Sequence, residues 1–242
     1  MTTMTAPAGP GKITEDDGAG PVRQAAIHEE VYQRLRRAII SGQLEPGRAL
    51  SVRGLAAEFG VSTMPAREAI RQLAAQGALE FTTTRRVAVA NMSREKLEEL
   101  GDARLALEPP LAARALKTLG GDAGARERLA DKLLAIDETL DKAIGQGDSA
   151  SYARLNSEFH FTLYETASAP VYLGLVESLW LQTGPFMRVV IGRLGTAALE
   201  DDKHKEIVAA LRVGDAGKLE TAVREDIMQG MSNIVRGYSS DE

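Results

Sequence analysis

Between residues 51 and 77 the chain carries start and stop signals spaced too closely for anything but short helices around a tight turn. Ser51 stands where a side-chain oxygen can accept the first free N–H of a helix. The segment VRGLAAEF that follows puts Leu55, Ala56 and Phe59 on one side. Gly60 is placed to stop that helix in a left-handed conformation, at no Cβ cost. Ser62 is then expected to cap a second helix, TMPAREAIRQLAAQ, with Pro65 in its first turn, where no intrahelical N–H bond is lost. Helix, glycine-containing turn, helix predicts a helix-turn-helix.

The flanks complete a small domain. Residues 27–41 place Ile27, Val31, Leu35, Ile39 and Ile40 on one helical face, and Gly42 with Pro46-Gly47 ends that helix. After Gly77 the run ALEF-TTTRR-VAVA alternates and is rich in β-formers, so a β-hairpin wing is expected, with Arg85 and Arg86 at its bend. On the second helix of the motif, Ala66, Ala69, Ile70 and Leu73 face inward. Thr63, Met64, Arg67 and Arg71 share another side toward its N-terminal half, the part of a recognition helix that enters a major groove. An arginine there can pair with guanine O6 and N7 or neutralise phosphate.

Charge is distributed to match. The 242 residues carry a net charge of −5, which argues against a nucleic-acid partner until the chain is divided. Residues 22–91 hold ten Arg, no Lys and six Glu, a net of +4, whereas 92–242 hold 18 basic and 25 acidic residues, a net of −7. A basic module joined to an acidic one fits a protein that touches phosphates at one end only. There is no cysteine, which excludes disulfides and thiolate metal sites and suits a reducing cytoplasm. Apolar stretches are short and interrupted by charge, so no membrane span is expected. Residues 1–24 begin without the basic and apolar regions of a secretory leader, and their Gly, Pro, Thr and Asp content predicts a flexible tail.

The stretch GRALSVRGLAAEFGVSTMPAREAIRQLAAQGALEF resembles the winged-helix signature of the GntR family of bacterial regulators. The matching positions are Leu55-Ala56, Gly60-Val61-Ser62, Pro65, Arg67-Glu68-Ala69, Leu73 and Gly77. The resemblance implies DNA-contacting positions at Arg53, at Thr63, where the family usually has Arg, and at Arg67. A second departure is Val87, where a glycine usually follows the basic tip of the wing. Both departures leave the fold intact and point to an unusual operator sequence.

From Met92 onward the pattern is helical nearly throughout. Ser93 begins a helix that meets Pro109-Pro110, where a kink or break is expected. Further helices are predicted at 111–118, 124–145, 149–167, 170–192, 199–213 and 216–236, an all-α bundle of six or seven. His160 and His204 are the only histidines of this module. Asn156 and His160, four apart, share a helical face. If their helices line one cavity together with Asp226, two imidazoles, an amide oxygen and a carboxylate would meet, a set that suits Zn²⁺, Ni²⁺, Mn²⁺ or Fe²⁺. Taken singly, each histidine reads first as an ordinary surface or satisfied core residue, and only their conjunction points to a metal.

This module resembles the FCD ligand-binding domain found in the FadR subgroup of GntR regulators. The matching residues are Arg104 and Glu108, then Asn156, Phe159 and His160, then His204, Ile207, Ala210 and Leu211. The family commonly binds a metal through an Asp and three His. Here Asn156 takes the usual Asp position and Asp226 that of the third His, two exchanges that preserve one formal negative charge and four ligands. The resemblance thus implies a divalent transition metal held by Asn156, His160, His204 and Asp226. A small effector, expected to be a carboxylate, would be completed by Arg104 and Arg188, which read equally as salt-bridge residues.

The expected chain is mainly α: a tail at 1–24, a winged helix-turn-helix at 25–91, and an all-helical effector-binding and dimerisation domain at 92–242. It would be a cytoplasmic, homodimeric, non-enzymatic regulator of operator DNA, since one winged helix touches few base pairs. Two other classes fit the same features. One is a DNA-binding protein without effector, and the other a helical metal-dependent enzyme carrying a DNA-binding domain.

Overall fold

The computed structural model of the chain describes residues 21–81, 86–194 and 203–238. Helix α1, Pro21–Ile40, begins inside the segment expected to be a tail. Pro21 occupies its first position, where a fixed φ costs the helix nothing. The remainder of that tail lies outside the described residues. Val31, Leu35, Ile39 and Ile40 are buried, as the spacing requires.

The motif at residues 51–77 folds from its local signals. In α2, Val52–Phe59, the Ser51 hydroxyl accepts from Gly54 N–H at 2.9 Å, and Gly60 ends the helix at φ 65°, ψ 33°. Helix α3, Thr63–Ala75, starts after Ser62, but that serine makes no side-chain capping bond, contrary to expectation. Position alone is not sufficient for a cap, because the hydroxyl must also rotate onto a free N–H. Phe59, expected in the core, is only half-buried and lies under the Arg34 guanidinium, 4.3 Å from its ring centre.

The wing forms from β2, Leu79–Phe81, and β3, Val87–Val89, antiparallel with Phe81 opposite Val87. The sequence reading missed a third strand, β1, Ala49–Leu50, which pairs with the other edge of β3. Two residues are too few to show an alternating pattern. Residues 82–85, including Arg85 at the expected tip, lie outside the described residues.

The second module contains α4 (Arg94–Leu119), α5 (Ala123–Gln146), α6 (Ser149–Glu165), α7 (Pro170–Leu194), α8 (His204–Val213) and α9 (Ala216–Tyr238). Helix α4 runs unbroken through Pro109-Pro110, so the helices expected on either side are one. The two prolines deprive the Leu105 and Ala106 carbonyls of donors. Against that cost, α4 buries Leu97, Leu100, Leu111, Ala112, Ala115 and Leu116, packing most extensively on α9.

The buried side chains of both modules form one contiguous core. α1 packs on α3 and on α7. Arg36 pairs with Glu177, Gln182 lies over Gly77, and Arg188 Nη1 donates to the Gly42 carbonyl at 3.3 Å. Helix α7 therefore belongs to the bundle along one side and cradles the winged helix along the other.

Candidate functional site

Helix α6 supplies the centre of the bundle. Its buried face carries Asn156, Phe159, His160 and Tyr164, at the three- and four-residue spacing that keeps side chains together. His204 enters from the first turn of α8 and Asp226 from the middle of α9. His160 Nε2 lies 3.1 Å from Asp226 Oδ2, and His204 Nε2 lies 3.8 Å from Asp226 Oδ1. Ligand atoms of these three residues all fall within 4.8 Å of one another. Both imidazoles are almost fully buried, at 1% exposure.

Each imidazole is oriented from behind. His204 Nδ1 sits 3.0 Å from Asp137 Oδ1, a carboxylate on α5 with no exposed surface, and its ring stacks on Phe159 with centroids 3.9 Å apart. His160 Nδ1 lies 3.3 Å from the Tyr164 hydroxyl, which donates to Glu108 Oε2 at 2.8 Å. With the Nδ1 sides held by protein groups, both Nε2 atoms turn toward Asp226. This arrangement fixes tautomer and ring plane in metal sites.

Arg104 closes one wall. Its Nε and Nη2 donate to Glu108 at 2.5 and 3.2 Å, and its guanidinium lies over the Trp180 ring, 4.4 Å from the centroid. Burial works against the charge on Arg104, but Glu108, together with Tyr164 and Asp226, outweighs it and holds the pKa above the usual arginine range. Burial and the Glu108 carboxylate push the Tyr164 phenol well up, so it remains a donor. Burial also tends to raise Asp226, yet His160, His204 and Arg104 together hold its carboxyl below the usual range. Asp226 is thus an anion facing two imidazoles.

The cavity between these groups is lined by Arg104, Asn156, His160, Met187 and Asp226, among others, and has a volume of about 30 Å³. That is room for about two waters. A typical metabolite pocket is about ten times larger or more. Arg188, expected beside Arg104, does not line it. It points to the end of α1, where it meets the Gly42 carbonyl and lies 3.9 Å from Glu45.

On the first module, the outward face of α3 presents Thr63, Met64, Arg67 and Arg71, all exposed, above a buried face of Pro65, Ala66, Ala69, Ile70 and Leu73. Arg53 of α2 and Arg86 of the wing are exposed as well. Arg71 is engaged by Glu68, Nη2 to Oε1 2.7 Å.

Residues 27–89 match the family described as bacterial regulatory proteins, gntR family, and residues 99–229 match the FCD domain. The chain is a GntR-family transcription regulator with an FCD domain. The regulator is 25% identical over 224 residues to the HTH-type transcriptional regulator McbR of Escherichia coli K12, covering 92% of this chain and 99% of that protein. It is 26% identical over 205 residues to the HTH-type transcriptional repressor GlaR of the same strain, covering 81% and 90%. The solved structure of E. coli McbR/YncC superposes with a TM-score of 0.78 at 24% identity, over 88% of this chain and 98% of that one, which shows a shared fold.

Within the regulator, the fold brings Asn156, His160 and Asp226 to one cavity, and His204 stands behind it with a ligand atom within 4.8 Å of those of His160 and Asp226. The sequence reading missed Asp137 and Tyr164. Nothing in the spacing of Asp137 singles it out among the acids of α5. Tyr164 lies four residues after His160 on the same helical face, a signal that could have been used. Among the described residues no helix is long and apolar enough to cross a membrane.

Proposed function

We propose that the regulator binds operator DNA as a homodimer through α3 and the wing, and that a divalent transition metal in the FCD domain links this binding to a small carboxylate effector, as in the FadR subgroup. The observation that carries the sensor reading is the convergence of two oriented Nε2 atoms and the Asp226 carboxylate at one buried point. Asn156, on the same wall, would provide a fourth donor. This borderline nitrogen and oxygen set suits Zn²⁺, Ni²⁺, Mn²⁺ or Fe²⁺, and the bound ion would supply a Lewis-acid point for an anion. Arg104, with its guanidinium on the cavity wall, would face the anion beside it.

DNA contact is assigned to Arg53, Thr63, Met64, Arg67 and Arg71, with Arg85 and Arg86 on phosphate. A symmetric dimer supplies the second half-site that specific affinity needs. The effector changes operator affinity only by favouring a different arrangement of the two modules. Helix α7 supports that link, since it lines the cavity with Met187 and holds the winged helix with Glu177 and Arg188.

The size of the cavity favours a second reading, in which the ion is structural and no metabolite enters. Operator binding measured with apo and Zn²⁺-loaded protein, against a panel of carboxylic acids, separates the two. Release by an acid only in the loaded protein supports the sensor. Operator affinity indifferent to every acid supports the structural ion.

A further inference from the structure

We infer that Met64, with Thr63 beside it, reads the 5-methyl group of thymine in the major groove of the operator; this deepens the proposed DNA reading of α3 and rests on it. Met64 is 61% exposed on the first turn of α3, while Pro65 and Ala66, next along the chain, are buried. Its stripe on the helix continues to Arg67, three residues on, and Arg71, seven on, both exposed. The thioether therefore projects on the side where the guanidinium groups stand, not toward the core.

A large apolar side chain held in water among cations suits a surface that will be desolvated by a partner with an apolar feature of its own. Among the groups a base pair presents in the major groove, the thymine methyl is that feature. Arginine cannot read it, since a guanidinium seeks the acceptors of guanine. Methionine is long, unbranched and polarizable, and reaches it without demanding one rotamer. Thr63 adds a methyl of its own on the same turn, together with a hydroxyl that can bond either base of a pair.

The spacing also limits the half-site. Met64 and Arg67 are three residues apart, about 4.5 Å along the helix axis. Stacked bases are about 3.4 Å apart. The thymine read by Met64 thus lies one or two base pairs from a guanine read by Arg67.

The test uses the full chain and a random double-stranded DNA library to select an operator. Each thymine of the selected duplex is then replaced singly by deoxyuridine, which keeps O4 and loses only the methyl. Removing one methyl contact is expected to weaken binding about fourfold per half-site. In Met64→Ala, which trims an exposed side chain, that sensitivity should vanish at one thymine and persist elsewhere. Uracil sensitivity identical in the two proteins, or absent at every thymine near a guanine, overturns the assignment. A library that yields no enriched sequence overturns the DNA reading itself, a distinguishable result.

Discussion

Gly184 of α7 has no room for a Cβ because the backbone carbonyl of Ile40, at the end of α1, sits against it. Backbone cannot swing aside as a side chain can, so the two modules meet at a contact that only glycine allows. Gly184→Ala should lower unfolding free energy by about 1–3 kcal/mol through overpacking. It should also shift the winged helix on the bundle and change operator affinity. Gly145→Ala, where no atom lies within 4 Å of the added carbon, is the control. In a helix that change should be neutral or stabilise by about 0.5–1 kcal/mol. Urea unfolding of both variants checks the contrast.

Metal binding should depend on groups of two kinds. His204→Ala removes an Nε2 donor and should abolish stoichiometric Zn²⁺ binding in calorimetric titration. Asp137→Asn keeps every ligand but loses the carboxylate behind His204 Nδ1, so affinity should fall by about 10- to 100-fold with one ion still bound per chain. An unchanged affinity in Asp137→Asn would show that the buried carboxylate serves packing alone.

The two arginines of α3 should not be equivalent. Arg71 is already paired with Glu68, whereas Arg67 on the same face has no such neighbour at close range in the ion pairs of that helix. Arg67→Ala should cost about 1–3 kcal/mol on a selected operator. Arg71→Ala should cost less, and Glu68→Ala should raise affinity by freeing its partner. Fluorescence anisotropy at fixed salt measures all three.

Two helix caps predict the acid limb of stability. Asp215 caps α9 by accepting from Lys218 N–H at 3.0 Å, a bond that holds its carboxyl below the usual range. Asp148 caps α6 and is likewise lowered, chiefly by its hydrogen bonding to Ser151. A depressed carboxyl stabilises the fold above its unfolded pKa and loses that contribution as pH falls through the folded value. Asn also caps but does not titrate. The double variant Asp148→Asn, Asp215→Asn should therefore unfold with a shallower dependence on pH at the acid end, followed by circular dichroism.

What the residues determined unaided is what depends on near neighbours. Ser51, Gly60 and Pro65 act within one turn of backbone, so the helix-turn-helix is legible from their order. The helices of the bundle follow from the same local periodicity, and the face shared by Asn156 and His160 follows from 3.6 residues per turn. Pro109-Pro110 shows where locality fails. Their intrinsic cost predicts a break, and packing of α4 on α9 overrides it. Only the tertiary structure decided that α6, α8 and α9 aim three ligands at one point, that Asp137 stands behind His204, and that Arg188 serves the junction with α1 rather than the cavity. Those outcomes depend on how helices distant in sequence cross. Crossing is set by the fit of whole faces, which no single residue or spacing records.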